Sequence, residues 1–118
     1  MEFVLTFNQP IEEIERHEDP ANAAAALAPW MAYMGELAAA GVMRGGNRLA
    51  PPWTATTVRS RGGQRMVQDG PFADTKELAA GYIVIDVASL DEALKWAEKS
   101  PSTASGSTEV RPVAAPPQ

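Results

Sequence analysis

The apolar positions along this chain follow two periods. Glu2-Phe3-Val4-Leu5-Thr6-Phe7 is dense in β-branched and aromatic residues and stops at the turn cluster Asn8-Gln9-Pro10, which predicts a first strand. Gly81-Tyr82-Ile83-Val84-Ile85-Asp86-Val87 is the clearest strand in the chain. Between 20 and 40 the spacing changes. Leu27, Trp30, Met34, Leu37 and Gly41 step by three, four, three and four, widened by Met31 and Ala38, which is the stripe of an amphipathic helix. Pro29 is nearly free only in a first turn. The main helix is therefore predicted over 29–40, with an Ala-rich lead-in and Gly41 as its left-handed stop. Residues 11–19 are polar and acidic and read as a short helical turn or a mobile loop.

Shorter patterns fill the middle and the end. A short strand runs from Val42 towards Leu49, ahead of Pro51-Pro52. Trp53–Arg61 is a strand by β-branched content, and Gly62-Gly63 joins it to Gln64–Gln68 as a hairpin that Asp69-Gly70-Pro71 ends. Residues 72–79 form a polar connection. Ser89, with Glu92 three residues on, is a capping box for a helix over 90–99. Leu90, Leu94 and Ala97 mark its buried face, with Ala93 and Trp96 at the flanks. Ser100-Pro101 stops it, 102–107 read as a loop, and 108–113 form the last strand.

This order is the split βαβ arrangement of a ferredoxin-like α+β fold with an antiparallel sheet. Residues 1–113 make one domain and 114–118 a Pro-rich tail. The strands are apolar on both faces, whereas a sheet with one wet face should alternate. At roughly 25 cal/mol per Å², leaving that face in water forfeits several kcal/mol. No third helix is predicted to cover it, so a second copy is, and the expectation is a homodimer.

Composition narrows the chemistry. The 118 residues contain no cysteine, one histidine, 15 acids and 10 bases, a net charge of −5. There is no thiol nucleophile, disulfide or Cys-ligated metal. A single histidine excludes a multi-histidine site within one chain, and neither metal nor cofactor is expected. The acidic balance argues against nucleic acid. No apolar run approaches the ~18 residues of a membrane span, and Met1-Glu2-Phe3 shows no secretion signal, so a cytoplasmic protein is expected. The charge is uneven. Residues 1–40 carry seven acids and one base, whereas 41–75 carry five bases and two acids. A basic centre sits in an acidic chain.

The stretch Asp69-Gly70-Pro71-Phe72-Ala73-Asp74-Thr75-Lys76-Glu77 resembles the signature of the DGPF-domain branch of the YCII-related family. The likeness extends through the Ala-Ala-Gly41 helix end, Ala55–Arg59, Gly81-Tyr82, Leu90–Ala93 and Glu109–Val113, and is weakest over 8–28. It implies ferredoxin-like subunits paired into a dimeric α/β barrel, with a ligand cleft between sheet and helices. Related barrels include small monooxygenases and lactone isomerases. Some members are encoded beside, or fused to, sigma-70-type factors, which implies an alternative role as a non-catalytic regulatory or interaction module. Another branch of the family places a suspected catalytic His near the start of the first helix and an Asp after the second. Those positions here hold Trp30 and Ser100, so that acid–base chemistry does not carry over.

Two readings of the signature loop stay open. In the structural one, Asp-Gly-Pro is a turn and Asp69, Lys76 and Glu77 fix it by ion pairs. In the functional one, the loop lines a cleft with Arg59 and Arg111, Asp69 acts as a catalytic base, and Lys76 is an electrophilic or anion-binding group. Arg59 and Arg111 lie on predicted strands, where they either pair with Asp69, Asp86 or Glu109 or grip a carboxylate or phosphate. Trp30, Trp53, Trp96 and Tyr82 frame an aromatic pocket or, for Trp30 and Trp96, pack in the core. His17, in an acidic segment, is expected to be solvated. The ligand-binding candidates are thus Arg59, Asp69, Lys76, Glu77, Tyr82, Arg111 and Trp30, around a small molecule, with the basic centre favouring an anionic one.

Overall fold

The computed structural model describes residues 1–72 and 75–117. Chain order is β1 (Glu2–Pro10), α1 (Ile11–Glu18), α2 (Ala23–Ala40), β2 (Met43–Arg48), a 3₁₀ turn at Pro52–Thr54, β3 (Thr56–Arg61), β4 (Gln64–Asp69), β5 (Glu77–Asp86), α3 (Leu90–Lys99), α4 (Pro101–Ser105) and β6 (Ser107–Pro112). β1, β2, β5 and β6 form an antiparallel sheet in the order β2-β5-β1-β6. With helices between β1 and β2 and between β5 and β6, this is the ferredoxin-like arrangement, elaborated by the β3–β4 hairpin between the two halves. The shortest axis of the molecule is 19 Å, the thickness of one sheet and one helical layer.

The two faces of the sheet differ. Phe3, Leu5, Phe7, Ile83 and Ile85 are buried beneath the helices, where Tyr33, Leu37, Ala93 and Ala97 meet them. The opposite face carries Val4, Tyr82 and Val84, all half-buried, among Thr6, Asn8, Asp86, Glu109 and Arg111. No element of the chain is packed over it among the described residues.

Several elements depart from expectation. α1 is a formed helix, held by the apolar pair Ile11 and Ile14 and by Arg16 donating twice to the Glu13 carboxylate, at 2.8 and 3.1 Å. α2 starts at Ala23, six residues ahead of the predicted start, with Pro29 inside it. Strong alanine propensity on both sides of the proline sustains the helix through the missing bond to the Ala25 carbonyl. Its buried residues are Ala26, Tyr33 and Leu37, with Trp30 and Met34 packed against the core; of the predicted stripe, Leu27 and Met31 are exposed. The Tyr33 hydroxyl donates to the Trp96 carbonyl at 2.8 Å, which offsets the cost of burying that ring's polar end.

Helix α3 keeps its predicted bounds, because Ser89 Oγ accepts from the Glu92 amide at 3.2 Å. Its buried residues are Ala93 and Ala97; of the expected face Ala97 is buried, while Leu90 and Leu94 face outwards. The small alanines let the helix lie close on the sheet. The expected loop over 102–107 is instead largely α4. Ser100 Oγ caps it by accepting from the Ser102 amide, and a chain of hydroxyls then joins Ser100 to Ser102 at 2.7 Å and Ser102 to Thr108 of β6 at 2.6 Å. β5 begins at Glu77, within the stretch read as a connection.

The hairpin β3–β4 pairs only with itself. Gly62 and Gly63 have φ of 57° and 78°, the left-handed pair that a two-residue hairpin turn requires. Val58 lies opposite Val67, and both are exposed.

Candidate functional site

The inner face of β1 alternates Phe3, Leu5, Phe7, Gln9, so the last inward position is an amide. β5 contributes Gly81 and Ile83 beside it. α1 and α2 cross over this end of the sheet, and β2 with the segment to Pro52 closes one side. The elements leave a cavity of about 320 Å³. Its apolar wall includes Phe7, Ile14, Trp30, Met34, Met43 and Ile83. Leu27 and Met31, the residues expected in the core, stand at its rim. Trp30 is fixed by an edge-to-face contact with Phe7 at 4.8 Å between centroids.

Few polar groups reach this space. Gln9 is 2% exposed; its Oε1 accepts from Ser105 Oγ at 2.6 Å, and its amide nitrogen has no acceptor among the described residues. Arg48 lies at the rim, where its guanidinium is 3.2 Å from Glu18 Oε1. His17 lines the cavity from α1, with its side chain only 13% exposed. The expectation of a solvated His17 is therefore corrected. Ile11 and Ile14 precede it at spacings of six and three, and that helical period, visible in the sequence, places it on the buried stripe. Its Nε2 is 3.5 Å from Glu13 Oε1. Burial pushes the imidazole below its ordinary pKa, with Arg48 and Arg16 acting in the same direction and Glu13 and Glu18 opposing. Hydrogen bonding to Arg16 holds the Glu13 carboxyl below the usual range.

A second, shallower depression lies between α2 and the α3–α4 corner, lined by Trp30, Tyr33, Glu36, Lys99, Ser100 and Ser105. Trp30 and Ser100, which stand where the other branch has its suspected pair, are both on its wall. An indole and a hydroxyl already bonded to Ser102 supply no acid–base pair.

The sequence-derived candidates fall in four places. Trp30 lines the cavity; Tyr82 borders it from β5 with its side chain on the opposite face of the sheet, where Asn47 donates to its hydroxyl at 3.1 Å. Arg59 and Asp69 lie on the hairpin; the Arg59 guanidinium sits 4.9 Å from the centroid of the Phe72 ring, and Asp69 ends β4 in an exposed position. Lys76 is exposed, and Glu77 accepts from Ser107 Oγ at 2.5 Å. Arg111 is on β6, at the sheet edge opposite β2, and lies 2.7 Å from Glu109 Oε1. Ala73 and Asp74 of the signature lie outside the described residues. Trp53 is exposed, whereas Trp96 packs against Tyr33.

A mixed α+β chain with this sheet order and a cavity under its helices is a ferredoxin-like fold. The same fold is seen in 5-chloro-2-hydroxyhydroquinone dehydrochlorinase (TftG) from Burkholderia phenoliruptrix AC1100, solved in complex with 2,5-dihydroxybenzoquinone. The likeness has a TM-score of 0.51 and 20% identity, over 97% of this chain and 94% of that one. An uncharacterised protein of Rhizobium meliloti (strain 1021) is 52% identical over 71 residues, which is 57% of this chain; the chain spans 56% of that relative's length. The model of the YCII-related domain matches residues 1–115. The chain belongs to the YCII-related family. Among the described residues no helix is long and apolar enough to cross a membrane.

Proposed function

We propose that this chain binds a small molecule in the cavity between the sheet and α1–α2, and that it belongs to the DGPF branch on the strength of the stretch Asp69–Glu77. One observation carries the binding reading: a space of about 320 Å³ with a wall of Phe, Ile, Trp and Met side chains. Ligand pockets are typically a few hundred Å³ and mostly apolar with a few polar groups. An apolar cavity of about 150 Å³ already holds benzene, so this one has room for one or two rings. TftG in complex with the single-ring compound 2,5-dihydroxybenzoquinone supports the same size class. Calorimetric titration with 2,5-dihydroxybenzoquinone and 2-naphthol is expected to show saturable binding of at least one of them, at one site per chain. Leu27→Trp, which fills the rim, is expected to remove it. Absence of saturable binding by either probe to the folded protein overturns the reading.

We further propose a homodimer in which a second copy covers the sheet face bearing Val4, Tyr82 and Val84. A few half-buried apolar side chains among polar ones suit a surface that is alternately wet and paired. Light scattering at micromolar concentration should return twice the chain mass; the mass of one chain overturns it. The exposed Val58, Met66 and Val67 on the hairpin favour a second reading, an interaction module. A chain that binds neither probe but retains partners through the hairpin would favour it.

A further inference from the structure

The cavity has an asymmetric wall. Nearly all of it is apolar, and its cation, Arg48, is held by Glu18 at the rim. An ionised ligand would have to leave water without a free counter-charge, which costs far more than burying a neutral group. His17 differs from the rest of the wall. The Glu13 carboxylate lies 3.5 Å from its Nε2. No hydrogen bond joins the two among the described residues, and the neutral ring keeps one nitrogen as a lone-pair acceptor. No hydrogen bond to Nδ1 is made among the described residues, and neither it nor the Gln9 amide nitrogen is sealed off from the surrounding space.

We propose that His17 is a specificity residue of this cavity: its neutral imidazole accepts a hydrogen bond from the hydroxyl of an uncharged, hydroxylated one- or two-ring ligand. This rests on the cavity being the binding site. It also replaces the anionic ligand expected from the basic centre of the sequence, because Arg59, Arg61 and Arg65 of that centre lie on the hairpin, Arg44 lies beside Asp86 and Arg48 is paired with Glu18. The charged groups facing His17 are Glu13, Arg16 and Glu18 from α1 and Arg48 from β2. Two are acidic and two basic, so they set no net charge for a ligand to neutralise. Burial favours the neutral ring, and so sustains the acceptor at physiological pH.

Three single-ring probes of similar size separate the possibilities: phenol, toluene and benzoate, titrated into the full chain at pH 7.5. Phenol is expected to bind at least tenfold more tightly than either of the others. His17→Phe should abolish the advantage of phenol over toluene while leaving toluene binding unchanged, and His17→Gln, which keeps a neutral acceptor, should restore part of it. Toluene binding serves as the check that each variant still forms the cavity. For the unaltered chain the phenol-to-toluene ratio should collapse as the pH falls below the ordinary imidazole value of about 6.5, because the protonated ring has no lone pair. Benzoate binding as tightly as phenol, or a phenol-to-toluene ratio unchanged by His17→Phe, overturns the assignment of His17 and leaves the cavity reading intact. Failure of all three probes overturns both.

Discussion

Leu5→Ala is expected to lower the unfolding free energy by about 3 kcal/mol. Leu5 is at the centre of β1, with no exposed surface, between the strands β5 and β6 and beneath the helices. Truncation removes buried methyl groups and leaves a void that a sheet paired on both sides cannot close, the situation in which Leu-to-Ala changes cost about 2–5 kcal/mol. The midpoint of urea unfolding should fall with an unchanged slope. Leu94→Ala supplies the contrast. Hydropathy alone ranks the two leucines equally, but Leu94 is 44% exposed on α3, so its truncation should cost less than about 1 kcal/mol. Equal losses at the two positions would contradict the packing described for α3.

Gly46→Ala is expected to cost about 3 kcal/mol or more and to distort the cavity with it. Gly46 has φ of 149°, and a Cβ there would lie 2.5 Å from the Tyr82 carbonyl oxygen and 2.8 Å from the Ile83 Cα. These are backbone atoms of the strand that β2 pairs with, so no side chain can swing aside. β2 must retreat from β5, which opens one wall of the cavity. Hydrogen exchange should show faster exchange at the amides that join β2 to β5, with β1–β6 protected as before. Gly62→Ala has left-handed backbone strain but open space around it, and should cost only about 1–2 kcal/mol. If the two substitutions proved equivalent, steric contact at Gly46 would not be the cause.

Local signals explain which elements were legible in the sequence. The bounds of α3 follow from Ser89, whose Oγ accepts from the Glu92 amide, and from Pro101, which the helix cannot run through. The β3–β4 turn follows from Gly62-Gly63, and the sheet order follows from the succession of strands and helices. What depends on distant partners was not legible. Leu27 and Met31 have core hydropathy, yet they border an empty space. Tyr33 is buried because a carbonyl 63 positions away receives its hydroxyl. The cavity itself is bounded by β1, α1, α2, β2 and β5, and the absence of filling atoms has no local sequence pattern. Gln9 and His17 were present in the periods of β1 and α1, but their meaning depended on knowing what they face. The charge segregation was legible, whereas its relation to a ligand was not, since the basic residues divide between β2 and the hairpin.

Both outer edges of the β3–β4 hairpin carry backbone amides and carbonyls that no further strand among the described residues takes up. A free edge flanked by Val58, Met66 and Val67 invites the addition of a strand from another molecule, the first step of fibril growth. Arg59, Arg61 and Arg65 stand on the same two strands. Stacked copies would bring these like charges into register at a strand spacing of about 4.8 Å, and their repulsion opposes that growth. The basic centre of the sequence is thus a guard on colloidal stability, most effective at low ionic strength and weakened as salt screens it.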